Sequence, residues 1–247
     1  MGLIIGLLAS ILCLILYIKM CKRELPSPME KKKAVLPVVL GVIAPILSTI
    51  VVLLFGLAAM QMNSGSLQGL PIALRSFIGS FILAGFTEEF IKFLLLLLAV
   101  RIIKPKNVYE FGIIGAGIGF GFTGLEDALY GNGNAVVALS RIPTFALHMA
   151  FGIIMGLHFG LAKYAKQNNN MGEARLHRVL SMLVPVLWHT VFDAATGSNI
   201  ALQSENENNQ ILGAIVALVV VLTSIVLQFK TLGKLKKRSA EYCDMEI

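Results

Sequence analysis

The sequence predicts an all-α fold, a polytopic transmembrane helical bundle of about seven spans, and three observations predict it. Of 247 residues 56% are hydrophobic and only 14% charged, against about 25% charged in an ordinary soluble domain, and the mean hydropathy is +0.79. The apolar residues fall into seven runs, each long enough to cross roughly 30 Å of hydrocarbon as a helix. The basic residues gather in alternate gaps between those runs.

The runs cover about 2–18, 34–60, 72–100, 108–130, 142–164, 178–197 and 210–229. The first has no basic residue ahead of it, and Leu12 before Cys13 is not the small residue of a lipoprotein cleavage site. It reads as a retained anchor rather than a signal peptide. Lys19, Lys22, Arg23 and Lys31 to Lys33 follow it. Arg101, Lys104 and Lys106 follow the third run; Lys163, Lys166, Arg175 and Arg178 follow the fifth. Lys230, Lys234, Lys236, Lys237 and Arg238 follow the seventh, so 18 of 21 basic residues share one side. Arg75 and Arg141 lie opposite, and Lys92 lies within a run. This alternation predicts an N-terminus outside and a C-terminus in the cytosol.

The net charge of +7 therefore belongs to a solvated, lipid-facing cytosolic surface and not to a nucleic-acid patch. Cys13 falls in the membrane while Cys21 and Cys243 face the cytosol, which excludes a disulfide framework. The outer segment 197–210 is polar but too short for a soluble domain. The expected organisation is a single integral-membrane domain, 1–247. Its motif-bearing core covers about 72–197, its N-terminal spans 1–60, its last span 210–229 and a basic cytosolic tail 230–247.

The third run carries Glu88, Glu89 and Lys92 amid apolar residues. Each costs roughly 3 kcal/mol at a span's centre, while a Leu or Phe returns only about 0.3–0.6. An intramembrane ionisable residue is a functional-site hypothesis by default. Glu88 and Lys92, four apart, share a helix face; Glu89 points about a quarter-turn away. An ion pair that merely fixes packing would account for Glu88 and Lys92 and leave Glu89 without a partner.

The fourth run places glycines at 112, 115, 117, 119, 121 and 124, the composition of a central helix that neighbours approach closely. The G-x-G-x-x-G formed by Gly119, Gly121 and Gly124 has no preceding strand and is no dinucleotide site. Glu126 follows Phe122 by four residues, and the adjacent Asp127 faces elsewhere, toward headgroups. The fifth run aligns His148 with Gly152 and Gly156; His158 reads as a structural hydrogen-bonding residue. In the sixth, His189 and Asp193 are four apart, so the carboxylate can orient or charge the imidazole. Trp188 and Phe192 read as packing.

Under the charge-derived topology Glu126, His148, His189 and Asp193 lie roughly 6–13 Å below the outer surface, at 1.5 Å per residue. Glu88 and Glu89 lie near mid-membrane. Four helices thus bring acids and imidazoles to overlapping depths, which predicts one site. Carboxylates crowded in low dielectric cannot all ionise. One can then activate water and another protonate a leaving group, with imidazole or lysine stabilising an oxyanion. No serine or cysteine is at hand as nucleophile, so the chemistry indicated is hydrolysis by activated water. Such a set could also hold Zn²⁺, but the H-E-x-x-H spacing is absent, and no metal or other cofactor is expected.

Glu88-Glu89-x-x-Lys92, Phe122-x-x-x-Glu126, His148 and His189-x-x-x-Asp193, in that order on successive helices, resemble the four signatures of PrsW-type intramembrane proteases. These are similar to the broader clan of type II CAAX-prenyl and bacteriocin-immunity membrane proteases. That clan's CAAX branch has E-E-x-x-x-R and F-x-x-x-H, so Lys92 and Glu126 favour the PrsW branch. The resemblance covers roughly residues 80–197. It implies glutamate-based proteolysis without a required metal, with Glu88, Glu89, Glu126, His148, His189 and Asp193 as catalytic candidates and Lys92 as supporting charge. It also implies cleavage of single-pass membrane proteins, such as anti-sigma factors, near the extracytoplasmic face. A proton-coupled transporter would use similar buried groups, though no inverted repeats are visible. A scaffold whose buried polar groups only fix helix packing is the remaining alternative.

Overall fold

The computed structural model describes residues 2–22, 29–65, 69–130, 147–196 and 207–238. Helix is the only regular structure among them, as hydrocarbon demands of a chain that must satisfy its own backbone. The elements are α1 (Gly2–Lys22), α2 (Lys31–Gly65), α3 (Ile72–Ser80), a π-helical turn (Phe81–Phe86), α4 (Thr87–Ile103), α5 (Val108–Tyr130), α6 (Leu147–Gln167), α7 (Met171–Thr196) and α8 (Glu207–Arg238). The π turn joins α3 to α4 without a break, so the described residues form seven continuous helices in the seven apolar regions. Stretches of α2, α5, α7 and α8 are long and apolar enough to cross a membrane, by length and composition. The predicted outer segments around 131–141 and 198–206, and Arg141 with them, lie outside the described residues.

Helix α7 starts seven residues ahead of the predicted run. Its first turn is short of apolar side chains, and the Glu173 N–H donates to the Asn170 side chain at 3.2 Å, so a cap rather than an apolar run starts it. A side-chain cap starts α5 as well: the Glu110 N–H donates to Asn107 Oδ1 at 3.0 Å, and the Glu110 carboxylate accepts the N–H of Lys106, one residue before the cap. Just before it, Lys104 ends α4 in the left-handed region at φ 53°.

Helix α5 is the centre of the bundle, packed between α2 and α6. Its glycines work on two faces. A methyl on Gly115 or Gly119 would collide with the carbonyls of Gly152 and His148 on α6, and one on Gly121 with the carbonyl of Val38 on α2. Ile114, Ile118 and Phe122 then join Leu96, Met149 and Ile153 in the main core. A smaller cluster, Leu147 and Phe151 with Val220 and Val221, ties α6 to α8. Large apolar side chains such as Leu53, Leu54, Leu218 and Leu222 point outward, the surface that lipid covers.

Candidate active site

The site is assembled by α4, α5, α6 and α7. The π turn directly precedes Glu88, and π turns recur at functional positions because the extra residue re-aims the side chains beyond it. Here it sets Gly85 so close to α7 that any side chain at 85 would strike the Thr190 hydroxyl. The Thr87 hydroxyl donates back to the Ile82 carbonyl at 2.6 Å, bridging the widened turn. On α7, Pro185 lies one turn before His189, where it removes a backbone donor and loosens the helix.

Lys92 is the hub. Its Nζ lies 2.8 Å from Glu89 Oε1, 3.5 Å from Glu88 Oε2 and 3.0 Å from His148 Nδ1. It also sits 3.5 Å from the centre of the Phe122 ring, a cation–π contact strengthened by the lack of water. An ammonium has only donors, so His148 Nδ1 accepts from it, and the proton of His148 then resides on Nε2. That nitrogen meets Glu126 Oε2 at 2.7 Å. Lys92, His148 and Glu126 thus form one directed chain.

His189 forms the other arm. Its Nδ1 lies 2.9 Å from Glu89 Oε1, and its Nε2 lies 3.4 Å from Asp193 Oδ2 and 3.8 Å from Glu88 Oε2. The two imidazoles meet edge to face, 5.0 Å between ring centres, with Phe151 5.5 Å from His189.

Exposure separates the charged side chains into two groups. Glu89 and Lys92 are sealed, while the side chains of Glu88, Glu126 and Asp193 are 20%, 19% and 30% exposed. One group holds the site together; the other faces its opening.

All six candidate acids and imidazoles and Lys92 therefore come together, but not as their spacing suggests. Glu89, expected to point away, is the closer partner of Lys92 and also holds His189. The reason lies in α7, which packs against the π turn and brings an imidazole to the Glu89 side. Asp193 reaches the opposite nitrogen of His189. Phe151 and the under-ring role of Phe122 were not foreseen; their spacing, three after His148 and four before Glu126, was the available signal. His158 does form a polar contact, Nδ1 to Nδ1 of His177 at 2.9 Å, and stands apart from the cluster. The side chain of Asp127 lies outside the described residues.

One carboxylate oxygen and one nitrogen from each imidazole of Glu88, His148 and His189 all lie within 4.8 Å of one another. Two imidazoles with a carboxylate are a donor set that zinc accepts, so these residues fit a divalent ion, with the Lys92 ammonium close by as a competing charge.

The architecture and this cluster define a membrane-embedded helical protein with a buried acid–imidazole centre. Residues 31–227, from α2 into α8, match the family model described as PrsW family intramembrane metalloprotease, and the chain belongs to that family. It is an integral protein of the cell membrane. It is 36% identical over 118 residues to protease PrsW of Halalkalibacterium halodurans, covering 47% of this chain and 53% of that protein. It is 32% identical over 122 residues to protease PrsW of Bacillus subtilis, 48% and 54% of the two chains. Against protease PrsW of Shouchella clausii it is 27% identical over 167 residues, 65% and 67%. The chain spans about half the length of the first two relatives it matches. No solved structure matches it.

Proposed function

We propose that this chain is an intramembrane endopeptidase that cuts single-pass membrane proteins near their extracytoplasmic end, using water activated by glutamate. The observation that carries the reading is the arrangement of three partly exposed carboxylates around two imidazoles, backed by a sealed Glu89–Lys92 pair. In this mechanism Glu88 removes a proton from water, and the resulting hydroxide attacks the scissile carbonyl carbon. The Lys92 ammonium, held beside Glu88 and His148, offsets the developing oxyanion by its charge rather than by direct contact. Glu126, which enters the step protonated while its Oε2 accepts from His148, gives that proton to the leaving amine as the C–N bond breaks, and Glu88 ends the step holding the proton taken from water. Glu89 fixes the His189 ring, and Asp193 meets its other nitrogen. A divalent ion held by Glu88, His148 and His189 would supply Lewis-acid chemistry at the same place.

The proposal includes seven spans, with the N-terminus outside and the C-terminus cytosolic, and a single protease domain. An anti-sigma-factor-like protein is the kind of substrate that the family likeness suggests. The test is co-expression with candidate single-pass membrane proteins. A shortened product from the wild type and none from Glu88→Gln is the expected result; a product from both would refute the assignment.

A further inference from the structure

A groove opens between α4 and α6 on the outward face of the bundle, toward the helix ends farthest from the carboxylate cluster. From Glu89 to Arg101 along α4 is roughly 18 Å, and from His148 to Lys163 along α6 roughly 22 Å, at 1.5 Å per residue. The groove encloses about 400 Å³ and is lined by Leu94, Leu97, Leu98 and Phe159, with Arg101 and Lys163 at its polar end. Leu94, Leu98 and Arg101 form one stripe on α4, and Leu94 and Leu98 are exposed. Phe159 makes the floor, braced by Phe93 at 5.7 Å and Phe111 at 5.9 Å between ring centres.

The two cations have no acidic partner among the described residues. Arg101 makes no ion pair there, and Lys163 has only the Phe159 ring, 5.8 Å from its Nζ. An apolar slot ending in two unneutralised cations, beside the basic 104–106 turn, is complementary to a molecule with a hydrocarbon chain and an anionic head.

We propose that this groove is a binding site for an anionic phospholipid, with an acyl chain along Leu94, Leu97, Leu98 and Phe159 and the phosphate between Arg101 and Lys163. A guanidinium suits phosphate because its fork of donors matches two oxygens at once. A transmembrane substrate helix is the competing occupant, and the crosslink below distinguishes the two. The proposal is independent of the catalytic reading.

The full chain would be placed in phosphatidylcholine nanodiscs carrying a trace of spin-labelled phosphatidylglycerol or spin-labelled phosphatidylcholine. The immobilised fraction of each label is then measured. Phosphatidylglycerol should be immobilised preferentially. Arg101→Gln with Lys163→Gln should erase that preference, by about fivefold per cation removed, while Arg101→Lys with Lys163→Arg keeps it. Leu97→Trp, which fills the slot and spares both charges, should release the label. Inorganic phosphate should not displace it. Equal immobilisation of the two lipids, an unchanged preference in Leu97→Trp, or displacement by phosphate would each overturn the site. A photocrosslinker at position 98 should capture a phospholipid; capture of a transmembrane peptide instead would also overturn it.

Discussion

Glu88 and Glu89 are neighbours in sequence with opposite surroundings, and substitution should separate them. Glu88 faces the opening, so Glu88→Gln is expected to abolish cleavage while the protein stays monodisperse and folded in detergent. Glu89 is sealed between Lys92 and His189. Removing one member of such a buried set leaves uncompensated charge at about 3–5 kcal/mol, so Glu89→Gln should fail in the thermal-stability measurement before activity is assayed. Equal thermal stability of the two variants would argue against this division. At His189, Asp193→Asn should reduce the cleavage rate less than His189→Ala, because Glu89 still orients the ring. Cleavage should survive exhaustive chelation; loss that zinc restores would instead assign Glu88, His148 and His189 as ligands. Sequence alone exposed every member of this cluster, because a charged or imidazole side chain stands out inside an apolar run. The i, i+4 spacing paired Lys92 with Glu88, whereas Glu89 lies closer, since that choice depends on where α7, a hundred residues away, lays His189.

Between elements, the α5–α6 contact is the one that glycine makes possible. Gly119→Ala pushes a methyl into the His148 carbonyl and Gly115→Ala into that of Gly152. Overpacking of this kind costs about 1–3 kcal/mol and should also displace His148. Gly112→Ala and Gly124→Ala meet nothing within 4 Å and should be neutral or slightly stabilising, given the better helix propensity of alanine. Thermal unfolding of the four variants checks the ranking, and a flat ranking would remove the close-approach argument. The glycine pattern was legible as a helix meant for close neighbours, and Gly152 and Gly156 gave α6 a smooth face, but that the two faces meet was not legible from spacing alone. The π turn was not. Phe81–Phe86 contains neither proline nor a run of polar residues, and its widening follows from the contact of Gly85 with Thr190 rather than from its own composition.

At the scale of the molecule, the charge alternation sets a testable orientation. In a background lacking the native cysteines, single cysteines within 131–141 and 198–206 should react with an impermeant reagent on intact cells. A cysteine within 104–106 should not. The reverse pattern would put the carboxylate cluster in the cytosolic half and favour a prenyl-protease type of substrate. Helix positions were legible because apolar length is a coarse signal. Their ends were not: α1 runs to Lys22, α7 begins at Met171 and α8 reaches Arg238, all through polar residues that caps and solvent support.

The Glu89–His189 contact has a consequence for how the protein is made. The two residues are 100 positions apart, so at 5–20 residues per second roughly 5–20 s separate their synthesis. During that interval α4 is already at the membrane with a glutamate whose imidazole partner does not yet exist. A nascent chain stalled between α5 and α7 should therefore hold α4 poorly and be open to membrane-protein quality control. Truncations ending before and after residue 196, compared by pulse-chase half-life, would reveal a step in survival when α7 arrives.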